Sequence, residues 1–444
     1  MKVELLSKKQ FDASQIDKMA VRLPRRLFSM MSWPFRQVAR PFFYLRHRLR
    51  ILVVYVAASI KWDRDRLASS RDALRAMGGK SLSLKTSFGS SDAMFLDCNA
   101  FKKSLAGMGA QSVEYITSER GRAHGIQFSE LKEEQVKLID KMGFFDANWI
   151  LVELDGRPTL INRDDLRGEA ANEDNHPEGH EDLLRYRLFD GDGNVNLQAL
   201  RVINTSPLST DDKDRGVALL SGGNAQVYEQ QRTESLVFLL NGINVMLYNP
   251  PGHSLSQGRP SRKTTVEACE AAYQYVKARV QPDDEKILAK GLCMGGGPIA
   301  ELGAAHPNIN IWLDQTPSDI HMLVRDEIDQ GGRHPLLGCA RRIAHCAALA
   351  LTPNYPNKKN LEKNRGHILI SYAAHDELVT DRHTDELLSV GEQESGGGRM
   401  KKFERSRIEG THGASWYDDE ASRIECCAFA REALDASPLL QHPM

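Results

Sequence analysis

Residues 286–300 read Lys-Ile-Leu-Ala-Lys-Gly-Leu-Cys-Met-Gly-Gly-Gly-Pro-Ile-Ala. An apolar run leads into Gly291-Leu292-Cys293-Met294-Gly295, and a helix-compatible segment starting at Pro298 follows at once. Strand, tight turn and helix, with one nucleophilic side chain at the bend, is a layout that presents a thiol for covalent catalysis. Residues without bulk two positions from the nucleophile let strand and helix approach closely around a strained backbone. A helix N-terminus also favours the thiolate. The same five residues suit a Gly-rich turn with a buried structural cysteine, so the rest of the chain must decide.

A nucleophilic thiol needs a base, and the base needs an orienting acid. The apolar run 367–372 is followed by Ala373-Ala374-His375-Asp376-Glu377, and the run 400–408 by Glu409-Gly410-Thr411-His412-Gly413. Taken singly, Asp376 reads as a helix cap and His412 as a loop histidine. Together with Cys293 they stand in the order nucleophile, acid, histidine, each just after an expected strand, which points to a Cys293–His412–Asp376 triad. Acyl transfer also needs oxyanion donors. One is the backbone N–H of Met294. The other is assigned to Gly223 or Asn224, in the turn Ser221-Gly222-Gly223-Asn224 after an expected strand at 216–220. The loop Asn249-Pro250-Pro251-Gly252-His253-Ser254 is expected to border the site, with His253 structural.

The elements that must position these residues alternate from residue 215 onward. Strands are expected at 216–220, 244–248, 286–289, 309–313, 367–372 and 400–408. Helices are expected at 225–240, 264–279, 298–305, 380–390 and 418–434. That alternation predicts a mostly parallel sheet with helices on both faces. A helical insertion at 319–350, rich in cysteine and histidine, is expected to act as a lid. Upstream, 81–88 and 93–97 read as a hairpin turning at Gly89-Ser90-Ser91-Asp92, 127–141 as a helix, 149–154 and 197–203 as strands, and 164–182 as an acidic loop. The run Asp190-Gly191-Asp192-Gly193-Asn194 carries Val195 and Arg201 where a calcium loop needs Gly and Glu, and reads as a turn. Helices are expected at 15–23, 42–62 and 64–77. The expected organisation is a basic helical region at 1–80, binding a membrane or a partner, and a catalytic body at 81–444 whose core is 215–444.

The chain has 444 residues, 41% hydrophobic and 26% charged, ample for a globular core. A net charge of −1 gives no argument for nucleic acid. Seven scattered cysteines, with no C-x-x-C pair, fit reduced thiols in a cytoplasmic setting rather than a disulfide framework or zinc site. No Sec-type signal pattern, cofactor fingerprint or metal motif is expected. Between Val21 and Trp62 stand eight arginines and one lysine with no acid, interleaved with aromatic residues such as Phe28, Trp33, Phe42 and Tyr44. Such a segment suits an anionic membrane surface, or a helix packed on the body with its arginines solvated. The apolar stretch 51–60 is too short to span a bilayer.

From about Arg215 the chain resembles the α/β-hydrolase superfamily. Its 249–254 loop is similar to the Gly-x-Gly-x-Ser loop after strand four of that fold, with His253 in place of the second glycine. The whole chain most resembles the chlamydial CHLPS-type hydrolase-like family. The box Gly291–Gly296 is similar to the G-x-C-x-G-G of dienelactone hydrolases and polyhydroxyalkanoate synthases. The resemblance implies an α/β-hydrolase fold and cleavage or transfer of small or lipid-like acyl groups, as ester, thioester or lactone. Two alternatives stand beside it: a bacterial effector that uses the triad on a protein substrate at a host membrane, and an inactive hydrolase-like binding scaffold.

Overall fold

The computed structural model describes residues 64–118, 121–142, 144, 149–154, 156–162, 201–207, 215–224, 226–330, 354–394, 402–418 and 420–434. The expected helices at 15–23 and 42–62, the acidic loop, the 190–194 turn and most of the expected lid lie outside them.

In chain order the elements are α1 (Arg64–Ala76), β1 (Gly79–Thr86), β2 (Gly89–Leu96), α2 (Cys98–Gly107), β3 (Ala110–Ser118), β4 (Gly121–Phe128), α3 (Glu133–Met142), β5 (Trp149–Leu154), β6 (Arg157–Asn162) and β7 (Arg201–Pro207). The second half contains β8 (Val217–Ser221), α4 (Arg232–Leu240), β9 (Asn244–Tyr248), α5 (Arg262–Arg279), β10 (Ile287–Leu292), α6 (Gly296–Ala305), β11 (Asn310–Asp314), α7 (Ile320–Gln330), α8 (Asn357–Leu361), β12 (His367–Ala373), α9 (Asp381–Glu394), β13 (Lys402–Ile408) and α10 (Glu420–Ala433).

Eight strands form one sheet in the order β1-β2-β9-β8-β10-β11-β12-β13. The pairs β1–β2 and β2–β9 are antiparallel and every later pair is parallel. Strands β8, β9 and β11 are buried at every residue, as strands covered on both faces must be. Side chains alternate between two cores. Ile287, Ala289, Ile311, Leu313, Ile368 and Ile370 pack with α5, α6 and α9, through residues such as Val276, Ile299 and Leu387. Leu288, Trp312, Leu369 and Ile408 point the other way, onto Leu236 and Leu239 of α4 and Phe429 of α10.

Four expectations need correction. The helix expected at 225–240 begins only at Arg232, after a 3-10 turn at Tyr228–Gln230. The hairpin turns at Ser87-Phe88, with Thr86 opposite Gly89, rather than at residues 89–92. Ser90, Ser91 and Asp92 look like turn residues but continue β2, because the buried Ser91 hydroxyl donates to Asn249 O at 2.6 Å and Asp92 O accepts from Asn249 N at 2.8 Å. The expected helix at 127–141 begins only at Glu133; residues up to Phe128 complete β4, which buries Ile126 and Phe128. The segment between β2 and β8 contains a second sheet, five strands in the order β5-β6-β4-β3-β7, all antiparallel, where a few isolated strands were expected.

Candidate active site

Cys293 stands between β10 and α6 with φ +50, a left-handed conformation that side chains rarely adopt. It leads a short 3-10 turn, Cys293–Gly295, that feeds directly into α6. The flanking glycines are sterically required. A Cβ on Gly291 would lie 2.5 Å from Gly295 O, and one on Gly295 would lie 2.4 Å from both Ser221 O and Gly222 O. Any larger residue would push the nucleophile turn away from the neighbouring β8 turn.

The sheet brings the predicted acid and base together. Asp376 lies in the loop after β12 and is almost fully buried. Its Oδ1 accepts the backbone N–H groups of Leu378 and Val379 at 2.9 and 2.7 Å, which pins the carboxylate. His412 lies in the loop after β13, with 18% of its side chain exposed. The two loops are tied by backbone bonds: Ala374 N donates to Ile408 O at 2.7 Å and His375 N to Gly410 O at 2.9 Å. The His412 Nδ1–H donates to Asp376, 2.9 and 3.0 Å from its two carboxylate oxygens. Cys293 is among the groups that act on the same imidazole. Burial works against a charged imidazole here, but the bonds to Asp376 and Cys293 and the negative charge of both outweigh it, raising the His412 pKa to about 10. Residue 293 itself is 7% exposed.

The expected oxyanion donors occupy different situations. Met294 is the second residue of the 3-10 turn, so its N–H precedes the first intrahelical bond. Gly223 lies against Cys293: a Cβ there would sit 3.7 Å from that of Cys293. Its N–H, however, donates to Gln226 Oε1 at 2.8 Å within its own turn. Asn224, next in the chain, is exposed. In the 249–254 loop, Ser254 Oγ donates to Glu229 at 2.9 Å and Arg71 bridges Glu229 and Asp92 at 2.5 and 2.7 Å, so this loop is braced by a charged cluster. His253 Nδ1 contacts Pro251 O at 3.3 Å, a local contact in keeping with a structural role.

An eight-stranded sheet in this order, with an antiparallel start and a strained strand-to-helix turn after its fifth strand, decides the architecture. The chain has the α/β-hydrolase fold. Solved hydrolases of this fold were recovered in comparison. An α/β-hydrolase from Vibrio vulnificus is 18% identical, with a TM-score of 0.36, over 49% of this chain and 73% of that one. The Pyrococcus furiosus esterase Pf2001 is 12% identical, with a TM-score of 0.38, over 50% of this chain and 84% of that one. No family model matches. A curated Caenorhabditis elegans protein, the uncharacterized protein F37A4.1, is 33% identical over 99 residues. That stretch is 22% of this chain and spans about a fifth, 20%, of the worm protein.

Two features of this hydrolase fold escaped sequence reasoning. Lys290, Asp314 and Glu234 form a buried ion network: Lys290 Nζ lies 2.7 Å from Asp314 Oδ2 and 2.7 Å from Glu234 Oε1. Burial disfavours the ammonium, but the two carboxylates hold its pKa above the ordinary lysine value. Gln315, at φ +46, reaches the histidine loop. The only signal in sequence was a polar residue at the end of each of two otherwise apolar strands.

Proposed function

We propose that the protein is a cysteine-nucleophile hydrolase or acyltransferase acting on small or lipid-like acyl substrates. One observation carries this reading: a cysteine at a strained strand-to-helix turn shares an imidazole with a buried carboxylate. With Nδ1–H given to Asp376, Nε2 is the nitrogen left to serve the sulfur. An imidazole with a pKa near 10 holds the proton at neutral pH, and its charge stabilises a thiolate beside it.

The Cys293 thiolate attacks the acyl carbon, and a C–S bond forms as the carbonyl π pair moves to oxygen. The N–H of Met294 and that of Asn224, or of Gly223 once released by Gln226, hold the oxyanion. As the carbonyl re-forms, the bond to the alcohol or thiol leaving group breaks, and the leaving group takes the Nε2 proton of His412. Neutral His412 then removes a proton from water or another acceptor, which attacks the thioester. The C–S bond breaks, returning thiolate and imidazolium. Asp376 keeps the ring oriented throughout.

The test is a panel of p-nitrophenyl esters and acyl thioesters, wild type beside Cys293→Ala. Loss of roughly a hundredfold or more in turnover is expected. Equal turnover by both proteins would overturn the reading. The narrower kinship with the CHLPS-type family, and an effector role, rest on sequence resemblance and belong to this proposal. So does membrane contact through residues 21–62, which lie outside the described residues. Among the described residues no helix is long and apolar enough to cross a membrane. Flotation of the full chain with anionic but not neutral liposomes at low salt would support surface binding, and no flotation with either would end it.

A further inference from the structure

The segment Asp314-Gln315-Thr316, just past the end of β11, touches three parts of the site machinery at once. Thr316 Oγ1 donates to Gly291 O at 3.2 Å, and its side chain fills the space a Cβ on Gly296 would need, so it packs on the nucleophile turn. Gln315 turns the other way. Its Oε1 accepts the N–H of Gly413 at 2.5 Å and its Nε2 donates to Ala414 O at 2.7 Å. These are the two residues that follow His412, and a primary amide used at both ends fixes a loop in position and in rotation. Asp314 anchors the segment below: Oδ2 takes the Lys290 ammonium, and Oδ1 accepts from Ser371 Oγ at 2.8 Å and from Gln315 Nε2 at 3.4 Å.

The anchor continues to the far side of the histidine loop. Lys290 also binds Glu234, and the same Glu234 Oε1 accepts the indole N–H of Trp416 at 2.7 Å. Trp416 is buried against Trp312, with ring centroids 4.9 Å apart. The chain from Gly413 to Trp416 is thus held at both ends by groups that converge on Lys290, which sits on the same strand as the cysteine turn.

Gln315 is one of three non-glycine residues with positive φ among the described residues, and Cys293 is another. A strained backbone persists where its surroundings over-determine it, and such residues concentrate where geometry matters for function. At Gln315 that conformation accompanies a side chain aimed at the histidine loop.

We propose that Gln315 is a positioning residue whose amide, seated on the Lys290–Asp314–Glu234 network, sets the distance and angle of His412 over Cys293. The proposal rests on the reading of Cys293 and His412 as a working pair. A carboxamide suits the task and a carboxylate does not, because a Glu at this position keeps an acceptor for Gly413 N–H but loses the donor to Ala414 O. A Met of similar length loses both.

The experiment compares wild type, Gln315→Glu and Gln315→Met as full-length proteins in three measurements. The first is the rate of Cys293 alkylation by iodoacetamide near pH 7, resolved by peptide mass spectrometry. The second is the far-downfield proton resonance of the His412 Nδ1–H···Asp376 bond. The third is the urea unfolding midpoint. Alkylation is expected to fall roughly tenfold in Gln315→Met, with a smaller loss in Gln315→Glu, because a displacement of about an ångström costs up to a hundredfold. The resonance should broaden or disappear in the same order, while the midpoint changes too little to populate unfolded protein at zero urea. A Cys293 rate and a resonance both unchanged in a folded Gln315→Met would overturn the proposal. If Gln315→Met does not fold, Gln315→Glu decides by the same two readouts. If wild-type Cys293 shows no preferential alkylation, the catalytic reading fails separately, and the resonance alone tells whether Gln315 holds His412.

Discussion

Two basic side chains of this domain each have two partners. His412 has Asp376 on one side and the Cys293 sulfur on the other. Lys290 has Asp314 and Glu234. The difference is what remains open. Lys290 is 3% exposed, and both carboxylates take further hydrogen bonds, from Ser371 and Trp416, so each group there is bonded to another. His412 keeps 18% of its side chain accessible, and one of its partners is a thiol rather than a carboxylate. Similar ingredients give a support when all valences are satisfied, and a reaction centre when one partner is polarisable and reachable.

The largest expected effect comes from the support. Lys290→Met should leave two buried carboxylates without their cation and cost about 3–5 kcal/mol of stability, read as a fall in the urea midpoint. A midpoint within error of wild type would show that the network is not the brace described. Next is Cys293→Ser, which keeps shape and fold. It should lower ester turnover by roughly a hundredfold or more, about 2.7 kcal/mol in the barrier, with an unchanged midpoint. Stability loss as large as that of Lys290→Met would erase the contrast between brace and reaction centre.

A pH-dependent effect sharpens it further. The His412 pKa is raised from 6.5 to about 10, so its stabilising bonds are fully present below pH 6.5 and are lost as pH rises through about 10. Wild type should therefore lose stability over that window relative to His412→Gln, and no difference in pH slope would contradict the bonded imidazole. The last pair of effects, one large and one small, lies at the glycines. Gly295→Ala should be strongly destabilising, since its Cβ would sit 2.4 Å from two carbonyl oxygens. Gly223→Ala, whose Cβ would meet nothing closer than 3.5 Å, should stay within about 0.5 kcal/mol of wild type in chemical denaturation.

The parallel half of the sheet was legible because strands buried on both faces read as short unbroken apolar runs between helical periods, as at β9 (Asn244–Tyr248). The five-stranded antiparallel sheet was not. Strand β4 spells Gly-Arg-Ala-His-Gly-Ile-Gln-Phe, with two glycines and two bases, and only pairing with β3 and β6 makes it a strand. Residues 90–92 misled for the same reason, since the Ser91 hydroxyl and the Asp92 backbone N–H find partners on the 249–256 loop. At the site, residue types and chain order marked Cys293, Asp376 and His412 as candidates before any coordinates. Lys290 looked like a strand-end lysine, and Gln315 carries no local pattern, because each acquires its role from partners far off in sequence.

The most direct test of the account is the pH dependence of Cys293 alkylation by iodoacetamide, measured beside Cys427 in the same protein. Cys98 and Cys269 are buried, with pKa values pushed up to about 12, so they serve as silent internal references. The account predicts rapid, selective modification of Cys293 at and below neutral pH, and loss of that selectivity in His412→Gln. Slow modification that follows an ordinary thiol and is indifferent to His412 would contradict it.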